Sequence, residues 1–164
     1  MSVLFALTFS IGGLAVLATW LFLGPLAALQ VQVWQAFVAW ACFYHSGGKT
    51  AGATKTVVCM AFGALVGMLS VMLAGQLGAV GALAAPVAVG LGAAAIVMAA
   101  HVGLLGTIPA SVYGFACVAG LILPKGLAPA DALLPTLVSI AIGTAFGWLS
   151  EFIGGKLTAA PAAA

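Results

Sequence analysis

The chain has 164 residues, 65% of them hydrophobic and 4% charged, and its mean hydropathy is +1.34. So few polar side chains cannot coat a water-soluble globule, and four lysines against two acids, a net charge of +2, make no basic surface for nucleic acid. Apolar runs near the ~20 residues that a helix needs to cross a bilayer, without the alternation of barrel strands, predict an all-α membrane protein.

Breaks at glycine, proline and charge predict six transmembrane spans, at about Val3 to Leu23, Leu26 to Tyr44, Thr56 to Leu77, Leu83 to Leu105, Ile108 to Leu123 and Leu133 to Ile153. No basic residue precedes the first run and no small-x-small cleavage site follows it, so it is expected to be a retained span rather than a signal peptide. Connections such as Gly24-Pro25 and Gly106-Thr107 are too short for a soluble module. Residues 1–157 are therefore expected to form one membrane domain, with a flexible tail at 158–164.

The pattern Gly-x-x-x-Gly-x-Leu-Ser occurs twice, as Gly63, Gly67, Leu69, Ser70 and as Gly143, Gly147, Leu149, Ser150. An aromatic-Ala-Cys triplet precedes each copy, Trp40-Ala41-Cys42 and Phe115-Ala116-Cys117, so the matches are collinear. The halves, about 1–80 and 81–155, read as repeats of one three-span unit. An odd number of spans inserts the second unit upside down, which predicts two inverted three-helix repeats, an architecture of channels and secondary transporters. Glycines four apart leave one helix face without side chains, so Gly63, Gly67, Gly143 and Gly147 are expected to pack helices closely, within the chain or between subunits.

Lys49, Lys55 and Lys156 fall on one side of six spans and Lys125 on the other, which predicts cytoplasmic termini. With so few charges, insertion in both orientations stays open. Cys42, Cys59 and Cys117 are far apart in apolar runs and have no metal-site spacing, so they read as small packing residues.

The second span of each half is compromised, by Gln30, Gln32 and Gln35 in one and by Pro109, Gly114 and Gly120 in the other. Interrupted helices at matching places point to a substrate pathway, and tilted or partly interfacial helices are the plain alternative. Gln32 and Gln35 stand three apart near Trp40, a combination suited to a small uncharged solute that needs hydrogen-bond partners, or equally to an interfacial helix start. Ser111 and Tyr113 supply hydroxyls to the matching span, and Thr107, just before Pro109, is placed where a hydroxyl can cap the helix start. His101, predicted inside span four, is either a lining residue or a neutral structural one. His45 and Glu151 read as groups at headgroup level.

The run from Trp34 to Gly48, followed by a glycine-rich basic loop, and the segment from Ile108 to Ala116 resemble a family of small bacterial proteins known as domain of unknown function 1097. The resemblance implies a compact multi-span protein of the bacterial inner membrane, and no activity or residue role comes with it.

No Gly-x-Ser-x-Gly, His-Glu-x-x-His or pair of intramembrane aspartates is present, so no enzyme, catalytic residue, metal or cofactor is expected. The predicted function is a passive channel or facilitator for a small polar, uncharged solute, urea-like or amide-like, working in the bilayer as a homo-oligomer. A proton-coupled exporter built on His101 and a structural accessory subunit are the alternatives.

Overall fold

The computed structural model describes residues 1–158. Among them are six α-helices and no strand: α1 Val3–Leu23, α2 Val33–His45, α3 Lys49–Gln76, α4 Ala84–Ala99, α5 Ile108–Lys125 and α6 Pro129–Leu157. With no water in a bilayer core, a helix satisfies its own backbone polar groups, which is why this composition folds as helices. Among the described residues, five stretches are long and apolar enough to cross a membrane: α1, α3, α4 with the turn before it (Gly78–Ala99), α5 and α6. The chain is thus a multi-pass membrane protein. With 13 residues, α2 reaches only about 20 Å and is not one of the five.

Helix boundaries depart from the hydropathy reading where polar residues join helices. Span two loses its start: Ala27–Leu29 form a 3-10 turn, Gln30 takes a left-handed conformation, and α2 begins only after Gln32. Span four ends at Ala99, and Gly103–Leu105 form a separate 3-10 turn. In contrast, α3 starts at Lys49, seven residues before the predicted Thr56, because the reversal at Gly47 and Gly48 sets its first turn. Similarly α6 starts at Pro129, where a proline fits the first helical turn, and runs on through Lys156. Thr158, assigned to the tail, ends α6 with its N–H on the Gly154 carbonyl, and the remaining tail residues, 159–164, lie outside the described ones.

The core is a four-helix cluster of α2, α3, α5 and α6, closed around Cys42, Met60, Val118 and Ile140. Its closest pairings cross the halves: α3 lies along α5, and α2 along α6. Outside this cluster α4 packs on α3 and α1 on α6. The outer face of α1 exposes Phe5, Phe9, Val16 and Trp20, a surface suited to lipid tails rather than water. Both termini of the described chain, the reversal at 46–48 and the α4–α5 link lie at one end of the bundle, as the contacts of Leu7 with Gly154, Lys49 with Glu151, and His45 with Tyr113 require.

Candidate functional site

Glycine sets how closely the four core helices approach. A Cβ on Gly63 would overlap the Ser111 carbonyl, one on Gly114 the Met60 carbonyl, and one on Gly143 the Ala36 carbonyl. One turn further along, a Cβ on Gly67 would meet Val118 at 2.7 Å and one on Gly147 the Phe43 ring at 2.8 Å. All four glycines of the repeated motif therefore face a neighbouring helix within this chain, where close backbone approach replaces the hydrophobic drive that lipid cannot supply.

Between these contacts lies a set of uncharged polar side chains. Gln35 is fully buried, and its Nε2 donates to the Cys117 carbonyl at 2.8 Å and to the Thr136 hydroxyl at 3.1 Å, joining α2 to α5 and α6. Its Oε1 has no partner, and the hydroxyls of Thr56 and Ser111 have none either. A buried polar atom without a partner costs about 1–3 kcal/mol. Gln35, Thr56, Ser111 and Thr136 are each 0–1% exposed, so the cluster is shut off from solvent. Cys42, Cys59 and Cys117 lie in the same core as free thiols, with the Cys59 Sγ on the Leu104 carbonyl at 3.3 Å. Among the described residues, no group of three or more His, Cys, Asp or Glu is placed to hold a metal ion.

A second polar knot lies nearer the end that carries the termini. The Trp40 Nε1 donates to the Ser150 hydroxyl at 2.9 Å, Tyr44 and Ser150 share a hydroxyl contact at 2.8 Å, and Ser150 donates to the Gly147 carbonyl at 2.7 Å. Trp40 also stacks between Phe37 and Phe146. Here a serine keeps two aromatic polar groups satisfied at a helix contact. At the reversal between α2 and α3, Gly47, Gly48 and Lys49 all have positive φ, and the Lys49 N–H donates to the Glu151 carboxylate at 2.7 Å. Glu151 so places a negative charge at the N-terminus of α3, where unpaired N–H groups favour an anion.

The remaining pathway candidates lie outside the buried cluster, toward helix ends and links. Gln32 precedes the first turn of α2, with its N–H on the Ser139 hydroxyl at 2.9 Å and its own amide on the Gln30 carbonyl at 2.6 Å. It does not share the buried face of Gln35, because the chain is extended at Gln32 and helical spacing begins after it. Thr107 is the N-cap of α5, with no side-chain cap bond. Tyr113 is half-buried, its hydroxyl 3.4 Å from the His45 Nδ1 across the α2–α5 contact. His101 is exposed in the link after α4, not within a span, because that helix has already ended at Ala99.

The structure thus brings Gln35 and Ser111 into one core, places Trp40 beside it, and leaves Gln32, His101, Thr107 and Tyr113 near the ends. Thr56 and Thr136 join the buried set, though the sequence did not single them out. The repeat could have found them: aligning the two glycine motifs aligns these two threonines as well.

A family model described as protein of unknown function (DUF1097) matches residues 8–155. No curated protein and no solved structure matches the chain.

Proposed function

Because the chain belongs to the DUF1097 family, whose description carries no activity, we propose a function from the core itself: it moves a small, uncharged, hydrogen-bonding solute passively across the bacterial inner membrane. The observation that carries this is Gln35, a fully buried amide whose carbonyl oxygen has no partner, at the meeting of three helices. An amide and hydroxyls without charge match a solute that offers donors and acceptors and needs no counter-ion.

The proposal includes two inverted three-helix repeats. In its support, Gly63 meets Ser111 and Gly67 meets Val118 between α3 and α5, while Gly143 meets Ala36 and Gly147 meets Phe43 between α6 and α2, in one register. The outer helices follow the same exchange, α4 on α3 and α1 on α6. Such halves can rock about a buried site, opening it to one side at a time, and the closed core is then one state of that cycle. Lys49, Lys55 and Lys156 at the end with the termini favour a cytoplasmic placement of that end. Open space beside Gly12, Gly13 and Gly90 leaves room on α1 and α4 for a second copy, so the proposal keeps a homo-oligomer.

Proton coupling is the less favoured reading. No His, carboxylate or Lys is among the buried side chains of the described residues. Intramembrane proton carriers are ordinarily such groups. The test is uptake by vesicles carrying the purified protein, with neutral solutes such as acetamide, urea and glycerol run beside ions. Faster entry of at least one neutral solute than into protein-free vesicles, with no ion current, is the expected result, and no acceleration of any neutral solute would overturn the proposal.

A further inference from the structure

The two hydrogen-bonding corners of the core share a threonine and a cysteine but not the amide between them, and that difference names a ligand. Around α5 and α6, the carboxamide of Gln35 bridges the Cys117 carbonyl and the Thr136 hydroxyl. The register set by the glycine contacts, with Gly143 on Ala36 and Gly63 on Ser111, pairs Gln35 with Ala110, Thr136 with Thr56, and Cys117 with Cys42. The threonine and the cysteine recur. The amide does not.

Ala110 is fully buried and carries nothing beyond Cβ, and the hydroxyl of Thr56, also fully buried, has the weakly accepting Cys42 thiol beside it and no oxygen or nitrogen partner. The adjoining Ser111 hydroxyl is unpartnered too. We propose that Thr56, with the Cys42 carbonyl and the Ser111 hydroxyl, forms a binding site for the carboxamide of a small solute, the role that the Gln35 side chain fills at Thr136 and Cys117. A carboxamide NH2 carries two donors, one for the Cys42 carbonyl and one for the Thr56 oxygen, and its carbonyl oxygen accepts from a hydroxyl. A polyol, with one donor on each oxygen, reproduces that fork less well.

The site is buried between α2, α3 and α5, so a solute reaches it when the halves part; this inference rests on the transport reading above and on its repeat register. It assigns the solute class, amides before polyols, and adds Thr56 and Ala110 as residues that set it.

The experiment compares acetamide and glycerol uptake in vesicles holding the full chain, with wild type, Thr56→Val, Thr56→Ser and Ala110→Gln. Wild type is expected to accelerate acetamide over glycerol, each measured against protein-free vesicles. Thr56→Val should lose about fivefold of acetamide uptake, the loss of one net hydrogen bond, while glycerol stays within twofold and Thr56→Ser keeps the wild-type rate. In Ala110→Gln a built-in carboxamide occupies the corner, and acetamide uptake should fall to the protein-free level. Detergent-purified Ala110→Gln that is aggregated is set aside, and the threonine pair decides alone.

Equal acceleration of glycerol and acetamide, or equal loss of both in Thr56→Val, overturns the carboxamide site and leaves passive transport standing. No acceleration of any neutral solute overturns transport and the site with it.

Discussion

Gly143 lies against Ala36 so closely that a single methyl group on it would occupy the Ala36 carbonyl, and Gly63 stands in the same relation to Ser111. Four helices meet through these contacts. The bundle therefore holds together by backbone approach, and its weakest points to substitution are residues without side chains.

Gly63→Ala and Gly143→Ala should each destabilise the purified protein by about 1–3 kcal/mol or more, since the overlapped atoms are backbone and cannot swing aside. Gly12→Ala and Gly90→Ala, where a Cβ meets nothing within 4 Å, should be neutral or gain up to about 1 kcal/mol from helix propensity. Thermal unfolding in one detergent, followed by far-UV circular dichroism, separates the two pairs. Equal midpoints in all four variants would contradict the packing.

Replacing Gln35 removes its donor to the Thr136 hydroxyl and the bridge to Cys117. Gln35→Met keeps most of the volume and should cost about 1–3 kcal/mol through the unpaired groups it leaves. Neutral-solute uptake should fall with it, beyond what a matched destabilisation by Gly63→Ala produces. A Gln35→Met protein with wild-type stability and wild-type uptake would remove the amide from both roles.

Ser150 serves Trp40 and Tyr44 at once. Ser150→Ala should cost about 1–3 kcal/mol, Trp40→Phe should cost less, and the double variant should cost less than their sum, because the second change removes a donor already stranded by the first. Additive costs in that cycle would mean that the 2.9 Å contact contributes nothing.

At the α2–α3 reversal, Glu151→Ala should speed hydrogen exchange at the Lys49 amide by about tenfold or more, and Glu151→Gln should retain part of the protection as a neutral acceptor. Gly48→Ala should act in the same direction, since a Cβ at φ +66° is strained and would lie 2.6 Å from the Glu151 carboxylate. Exchange unchanged in Glu151→Ala would show that the carboxylate is not what holds the turn.

Neutral-solute uptake should be indifferent to an imposed pH gradient, and His101→Ala should leave it unchanged, because the imidazole is exposed beyond the end of α4. Accumulation of solute against its gradient when a pH difference is applied would restore proton coupling.

Much of this fold is written in hydropathy, and the reasons for the misses are local. The first helix runs from Val3 to Leu23 as predicted, bounded by Ser2 as its cap and by Gly24-Pro25 beyond it. The starts of α3 and α6 escaped because a hydropathy window stops at Lys55 or Asp131, whereas a helix continues past them to a turn or a proline. The three-residue spacing of Gln32 and Gln35 suggested one face, yet only Gln35 is helical. Periodicity cannot reveal which of two residues is the cap. Thr56 carries no signal of its own in the sequence, because threonine in an apolar helix ordinarily bonds its own preceding turn, and the fold shows that this one does not.

The three thiols, all sealed in the core, make the native chain its own accessibility gauge. A water-soluble maleimide added from either side finds no sulfur in the closed bundle. If the core opens as the transport proposal requires, modification of Cys42 or Cys117 in the presence of solute would record when, and from which side of the membrane, it does so, with no residue engineered into the protein.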